Sequence, residues 1–219
     1  MHISKGRIRR NGTSDLRTLG SKGEGTERLL RSRGIKLISE HGFEAMSLRM
    51  LAKEVGIQAG SLYNYISNKQ EFLFTLMSAV IEDLNVEMAT AMDDLTDPRE
   101  KLCVFVRVHI DFHTRRKDEV FVGNMELRSL DPDNLKAIIA LRRAYERQLA
   151  AILDEGIAAG VFHCRNPKIT RLAMLAMLTQ VANWYDKRGP NTIAELTQEY
   201  TYLAFAMLQA EPPENFSNI

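Results

Sequence analysis

Four helix-start signals recur beyond Thr96 in this 219-residue chain, and they constrain its fold more than any other feature. Asp97-Pro98, Asp131-Pro132 and Asn166-Pro167 each place a capping side chain before a proline at the first helical position, where the missing amide loses no hydrogen bond. Thr192 followed by Glu195 is the capping-box pattern. The signals predict helices near 98–117, 132–159, 167–187 and 193–209, a shorter one near 119–129, and breaks at Gly160 and Gly189-Pro190.

The first third of the chain, from Thr26 onward, also carries helical punctuation and no alternating run that would predict a strand. Leu30, Gly34, Leu37 and Ile38 form one stripe before a left-handed stop at Gly42. The predicted helices run from Thr26 to His41, from the N-cap Ser47 to Gly56, over 58–65 and over 69–92. The chain is therefore predicted to be all-α, with about nine helices.

The charge is divided unevenly along the chain. Residues 1–69 hold 13 Lys/Arg and 6 Asp/Glu, whereas residues 70–219 hold 16 and 22. A basic segment on an acidic remainder fits an anionic polymer as partner, although a basic tail that only aids solubility has the same charge. Residues 1–24 combine cations and glycines with almost no apolar periodicity, so we expect a mobile basic arm there.

Several classes of protein are disfavoured. The longest apolar run, Leu172 to Leu178, is far shorter than a membrane span, and the N-terminus lacks an apolar signal core, so a cytoplasmic protein without membrane association is expected. Cys103 and Cys164 form neither a CxxC motif nor a ligand set. His109 and His113 lie one turn apart, but no matching ligand completes a metal site, so a polar lining of a binding pocket is the preferred interpretation. With no catalytic or nucleotide motif either, no enzyme, cofactor or metal is predicted.

Residues 47–69 carry the clearest functional pattern. Two short helices joined by a tight turn at Gly56-Ile57 are typical of a helix-turn-helix. Small residues at Ala59 and Gly60 allow a helix backbone to approach a DNA duplex closely. Tyr63-Asn64-Tyr65 provides rings, hydroxyls and an amide that can reach phosphates and bases.

Residues 26–74 resemble the DNA-binding domain of the TetR/AcrR family of transcriptional regulators. The resemblance is carried by Gly42-Phe43, Ser47, Leu51-Ala52, Val55-Gly56, Gly60-Ser61-Leu62-Tyr63, Tyr65 and Lys69. Two departures are Gln58, where the family usually has a capping Ser or Thr, and Tyr65-Ile66 in place of His-Phe. The resemblance implies a recognition helix over 58–65, with Tyr63, Tyr65 and Lys69 on phosphates. The full predicted DNA-binding set is Ser47, Arg49, Gln58, Ala59, Gly60, Ser61, Tyr63, Asn64, Tyr65 and Lys69.

The same resemblance implies a helix-turn-helix domain over 25–70, an effector-binding and dimerisation domain over 71–210, and a tail over 211–219. Motifs between residues 100 and 190, such as Val181-Ala182-Asn183-Trp184-Tyr185, resemble the acyl-CoA-responsive subgroup. The predicted effector-binding residues are Phe105, His109, Phe112, Met125, Arg128, Tyr145 and Trp184. The apolar late helices are the predicted dimer seam, through Leu172, Leu175, Ala176, Thr179, Tyr200, Leu203, Ala204 and Met207; the alternative is that these stripes belong to the core of the chain itself.

We therefore expect a homodimeric transcriptional repressor that a small-molecule effector, an acyl-CoA or a similar compound, releases from a palindromic operator in double-stranded DNA. Two alternatives stay open. In one, the C-terminal domain of a DNA-binding dimer binds a protein partner or no effector, which a fully packed interior would support. In the other, more remote one, the chain is a helical acyl-thioester enzyme, against which the basic N-terminal third argues.

Overall fold

The computed structural model describes residues 21–214 and 216, and over these residues the chain is helical without a β-strand. This confirms the predicted all-α class. The α-helices of the described residues are α1 (Ser21–His41), α2 (Leu48–Val55), α3 (Ala59–Leu62), α4 (Lys69–Met92), α5 (Pro98–Arg115), α6 (Lys117–Met125), α7 (Pro132–Ala158), α8 (Pro167–Trp184) and α9 (Ile193–Met207), with a 3-10 helix at Glu126–Ser129. None of these helices combines the length and apolarity needed to cross a membrane.

The N-terminal head consists of α1 to α3 and the first half of α4. Its turns follow the predicted punctuation: Ser47 Oγ accepts a hydrogen bond from Met50 N, and Gly42 and Gly56 adopt the left-handed φ values of 80° and 77°. At Gly34, α1 lies so close to α4 that a Cβ would be 2.3 Å from the Phe72 ring. The head core continues into the body, because Val122, Leu130 and Ile138 belong to the same buried cluster.

The body packs α7, α8 and α9 and the second half of α4 around α5. Nearly every residue of α5 from Leu102 to His113 is buried, and the exceptions are the charged Arg107 and Asp111. The buried clusters of head and body meet within α4, at Val80 and Ile81. A single helix therefore contributes to both cores.

The helix starts of the body agree with the sequence signals except at Asp131. Asp97 caps Arg99 N, Asn166 caps Ile169 N, and Thr192 and Glu195 form both bonds of the capping box. The Asp131 side chain makes no capping bond; the backbone N–H of that residue instead donates to Gln70 Oε1 at 3.1 Å. The prediction that Asp131 acts as a capping side chain was therefore wrong, although Pro132 does begin the helix.

Some predicted boundaries also need correction. Residues 21–24 of the predicted basic arm belong to α1, and the rest of that arm lies outside the described residues. The third helix ends at Leu62 rather than near Tyr65, because Asn64 N and Tyr65 N bond three residues back, to Ser61 O and Leu62 O. The eighth helix ends at Trp184 rather than at 187, because the backbone of the next residue, the buried Tyr185, is extended. The carbonyl oxygen of Tyr185 accepts a hydrogen bond from Lys117 Nζ.

Candidate nucleic-acid interface and ligand cavity

Most of the residues that were predicted to contact DNA are exposed on the head. Leu62 is fully buried and fixes α3 against the head core. Its neighbour Tyr63 points away from the core and is 61% exposed. The exposed members of the predicted set are Ser47, Arg49, Gln58, Ala59, Gly60, Ser61, Tyr63 and Asn64. A Cβ placed on Gly60 would meet no protein atom within 4 Å, so no packing in the described chain requires glycine there.

Tyr65 and Lys69 are only partly exposed. Lys69 Nζ donates to Glu44 O at 3.0 Å and lies 4.3 Å from the centre of the Phe43 ring. The lysine therefore fastens the start of α4 to the loop before α2. An ammonium group has three donors, so a phosphate contact by Lys69 stays compatible with this bond.

A cavity of about 330 Å³ lies in the body, between α4, α5, α6, α7 and α8. Its apolar lining comes from Val80, Ile81, Leu84, Phe112, Val120, Gly123 and Leu175. Its polar lining comes from His109, His113, Asn124, Arg142, Tyr145, Glu146 and Thr179. A cavity that is mostly apolar with a few convergent polar groups is the usual form of a small-molecule site.

His109 and His113 form a buried polar column in the wall of this cavity. Their rings stack at a centroid distance of 3.8 Å, and His109 Nδ1 lies 2.8 Å from the Tyr145 hydroxyl. His113 Nδ1 lies 2.8 Å from the carbonyl oxygen of His109. Because a carbonyl only accepts, Nδ1 of His113 carries the proton and Nε2 is left as an acceptor.

Both histidines are uncharged in the folded protein at neutral pH. Burial lowers the pKa of His113 to about 4, and burial together with the neighbouring His113 lowers the pKa of His109 well below its usual value. Burial also raises the pKa of Tyr145, which keeps its hydroxyl protonated. The column is therefore a set of uncharged donors and acceptors.

Acidification is expected to destabilise the protein between pH 6.5 and about pH 4. The unfolded chain binds protons with the ordinary histidine pKa of about 6.5, whereas the folded chain binds them only near 4 and below. In that window the unfolded state holds more protons, so the free energy of unfolding falls by up to about 1.4 kcal/mol per pH unit for each histidine. Urea unfolding at pH 7.5, 6.5 and 5.5 measures the slope. His113→Gln is expected to flatten it, and an equal slope in that variant would contradict the assignment.

The predicted effector residues divide into two groups. His109, Phe112 and Tyr145 line the cavity. Phe105 does not, since it is fully buried behind His109 with ring centroids 6.1 Å apart. Met125 at the end of α6, Arg128 in the 3-10 helix and Trp184 at the end of α8 are exposed and lie outside the lining. These four residues therefore do not line the cavity, and their contact with an effector stays a prediction.

The cavity also contains residues that the sequence did not assign to it. Arg142 and Asn124 were not anticipated, and their positions on α7 and α6 become neighbours only through tertiary packing. Leu175 and Thr179, predicted for the dimer seam, line the cavity, and their part in a dimer stays a prediction. Arg142 and Glu146 have the spacing of an ordinary ion pair on the surface of a helix, so the sequence alone does not show that they line a cavity.

Except for Ala204, the remaining seam residues on α8 and α9 are at least partly exposed. Leu172 and Leu203 are 43% and 49% exposed, Ala176 is exposed, and Tyr200 and Met207 are partly so. Ala204 is completely buried in the core of its own chain, so its prediction as a dimer contact was wrong.

The cavity wall is directly connected to the head through α6 and the 3-10 helix that follows it. Arg31 of α1 and Arg116 both pair with Glu119 and Asp83, with Arg31 Nη2 2.8 Å from Glu119 Oε2 and Arg116 Nη1 2.8 Å from Asp83 Oδ2. Phe43 N in the head donates to Glu126 Oε1 at 3.0 Å. A shift of α6 would therefore act on the head through ion pairs and a backbone hydrogen bond.

Two family models match the chain. Residues 30–76 match the family model "Bacterial regulatory proteins, tetR family", and residues 95–208 match "Tetracyclin repressor-like, C-terminal domain".

Relatives of known role share limited identity with the chain. It is 25% identical over 126 residues to the fatty acid metabolism regulator protein of Bacillus subtilis, covering 58% of this chain and 65% of that protein, slightly under two thirds. It is 24% identical over 166 residues to the HTH-type transcriptional repressor KstR2 of Mycolicibacterium smegmatis, covering 75% and 81%.

Solved structures show the same fold. The TetR family regulator PfmR from Thermus thermophilus has a TM-score of 0.75 and 29% identity, over 83% of this chain and 98% of that one. AibR, solved in complex with isovaleryl coenzyme A and operator DNA, has a TM-score of 0.76 and 22% identity, over 82% and 98%.

Proposed function

This chain belongs to the TetR family of bacterial transcriptional regulators, and from that premise we propose that it is a homodimeric repressor released from a palindromic operator by a small-molecule effector. The observation that carries the proposal is the cavity of about 330 Å³, whose α6 wall is paired with the DNA-binding head. An open interior favours an effector over the alternative of a body that serves only a protein partner.

The proposed DNA contacts are the predicted set on the exposed face of the head, centred on α3. Ser61 on α3 and the residues that follow this helix, Tyr63 and Asn64, are exposed, and Arg49 supplies a cation on α2. None of the ion pairs that the structure describes involves Arg49, so its charge is available for a phosphate. Hydroxyl, amide and guanidinium groups are the usual donors to phosphates and base edges.

Dimerisation is proposed through the outer face of α8 and α9. Leu172, Leu203 and Ala176 lie exposed there, and Ile169 is a further large apolar side chain with 58% exposure. Exposed apolar patches of this kind mark protein interfaces. A head this small reads one half-site, so two copies are needed for a two-fold operator.

The proposed effector is an acyl-CoA or a similar compound whose acyl part occupies the cavity. The volume of about 330 Å³ stands at the lower end of small-molecule sites, so a coenzyme portion would lie outside it. The structural neighbour AibR was solved with isovaleryl coenzyme A. Insertion of an acyl group between α6 and α7 would displace α6 and change the position of the head. Coupling between such sites is commonly about 1–3 kcal/mol.

The deciding experiment is selection of bound duplexes from a random DNA pool, repeated with a panel of acyl-CoA thioesters. We expect a palindrome with two half-sites without ligand, lower recovery with at least one thioester, and a free protein of twice the 24.9 kDa chain mass by light scattering. A monomeric protein would contradict the proposed dimer. A recovery of bound DNA that no thioester changes would contradict the proposed response to acyl-CoA.

A further inference from the structure

Arg142 is the one cation among the residues that line the cavity, and within the described residues its charge has no acidic partner. Its hydrogen bonds both start from Nη2, which donates to Gly123 O at 2.7 Å and to Asn124 Oδ1 at 2.8 Å. Its Nε is buried and has no partner. A guanidinium group has five N–H donors, so most of its hydrogen-bonding capacity is unused.

The other charged group of the cavity does not compensate Arg142. Glu146 lies one turn along α7, but its Oε1 is held by Arg171 Nε and Nη2 at 3.0 and 2.8 Å. His109 and His113 are neutral because they are buried. Burial also lowers the pKa of Arg142, as expected for a cation that loses water without gaining a carboxylate.

We propose that Arg142 is the anchor for a carboxylate group on the ligand of this cavity. The inference rests on the proposed function, since it names the ligand class of the same effector site. A buried charge is costly unless it is paired, so a ligand that brings one negative charge would be bound more tightly than its neutral analogue. Charge-assisted bonds from guanidinium to carboxylate are among the strongest available in proteins.

The remaining lining defines the rest of that ligand. One cation and an uncharged histidine column match a single negative charge, whereas a phosphate dianion would be left undercompensated. Val80, Leu84 and Phe112 provide an apolar surface for a hydrocarbon chain. The carboxylate has two possible sources, a free carboxylic acid or the terminal carboxyl of a dicarboxylic acyl thioester.

The test measures binding to the full-length protein by calorimetry, with two matched pairs of probes. Hexanoate against methyl hexanoate examines the free acid, and adipoyl-CoA against hexanoyl-CoA examines the terminal carboxyl. At least one pair is expected to show about a tenfold or greater preference for the carboxylate, the usual effect of a hydrogen bond to a charged group. The pair that shows it identifies the source of the carboxylate.

The variant Arg142→Met is expected to lose this preference to within about twofold, because it keeps the apolar stem and removes the charge. Arg143→Met removes an exposed arginine from the same helix and is expected to leave the preference unchanged. Arg142→Lys retains the charge and is expected to retain part of the preference if the methionine variant does not fold.

Equal affinity for both members of each pair in the wild-type protein overturns the proposal, as does a preference that survives in Arg142→Met. Operator binding is measured separately on the same preparation. If the protein binds the operator but shows no preference for a carboxylate, this inference is wrong and the proposed repressor function is unaffected. If the protein prefers the carboxylate but binds no operator, the proposed repressor function is wrong and the carboxylate site is still supported.

Discussion

Replacing Tyr63 with alanine is expected to weaken operator binding by about tenfold to a hundredfold while leaving the fold intact. The side chain is 61% exposed, and no hydrogen bond to it is present in the described residues, so its removal costs little stability. A protein–DNA contact of this kind contributes about 1–3 kcal/mol, which corresponds to the expected change. Fluorescence anisotropy with the selected operator, at fixed salt, measures it.

Two further variants separate the possible causes of this loss. Tyr63→Phe keeps the ring and removes the hydroxyl, so it shows how much of the effect comes from a hydrogen bond. Val86→Ala removes a side chain that is 65% exposed on α4, outside the head, and is expected to bind the operator normally. Unchanged affinity in Tyr63→Ala would contradict the assignment of α3 as the recognition helix.

Replacing Gly156 with valine is expected to destabilise the body by about 3 kcal/mol, at the upper end of the usual cost of overpacking. A Cβ on Gly156 would lie 2.0 Å from Cδ2 of Phe162, which is buried and packs edge-on against Phe205 at 5.9 Å. The ring cannot withdraw without losing that contact. For a chain of this length the melting temperature should fall by roughly 10 °C, as measured by circular dichroism.

Gly25→Ala is the matched control for this change. Gly25 is also helical, but a Cβ there would meet nothing within 4 Å. Alanine is the better helix former by about 1 kcal/mol, so the control is expected to match or exceed the wild-type stability. Equal melting temperatures for Gly156→Val and the wild type would show that the end of α7 can open to admit a side chain.

The sequence predicted local structure well where one residue decides the geometry. Pro98, Pro132 and Pro167 begin helices as expected, and Gly42, Gly56 and Gly160 have positive φ values. Such signals are local, because a capping bond or a left-handed turn involves only a few neighbouring residues. The same reasoning proposed DNA contacts that are mostly exposed in the structure, since the helix-turn-helix motif is contiguous in the chain.

The lining of the cavity could not be predicted in the same way. Its lining comes from five helices, and each aromatic residue in a helical stripe fits core and cavity equally well. Phe105 and Phe112 lie seven residues apart on one face of α5, yet only Phe112 reaches the cavity. The two side chains are separated by about 10 Å along the helix axis, so the level at which the other helices enclose the cavity decides between them, and no local pattern encodes that level.

Because ion pairs connect the head to the body, added salt is expected to change operator affinity in two ways. The first effect is on the ion pairs formed by Arg31, Arg116, Asp83 and Glu119. These side chains are partly solvated, so added salt screens the attraction that holds the head in its orientation. The same electrolyte weakens the phosphate contacts by competing for the nucleic acid. A plot of operator affinity against salt therefore combines an external and an internal contribution. The number of phosphates contacted would be overcounted unless the slope is also measured in a variant that lacks Glu119.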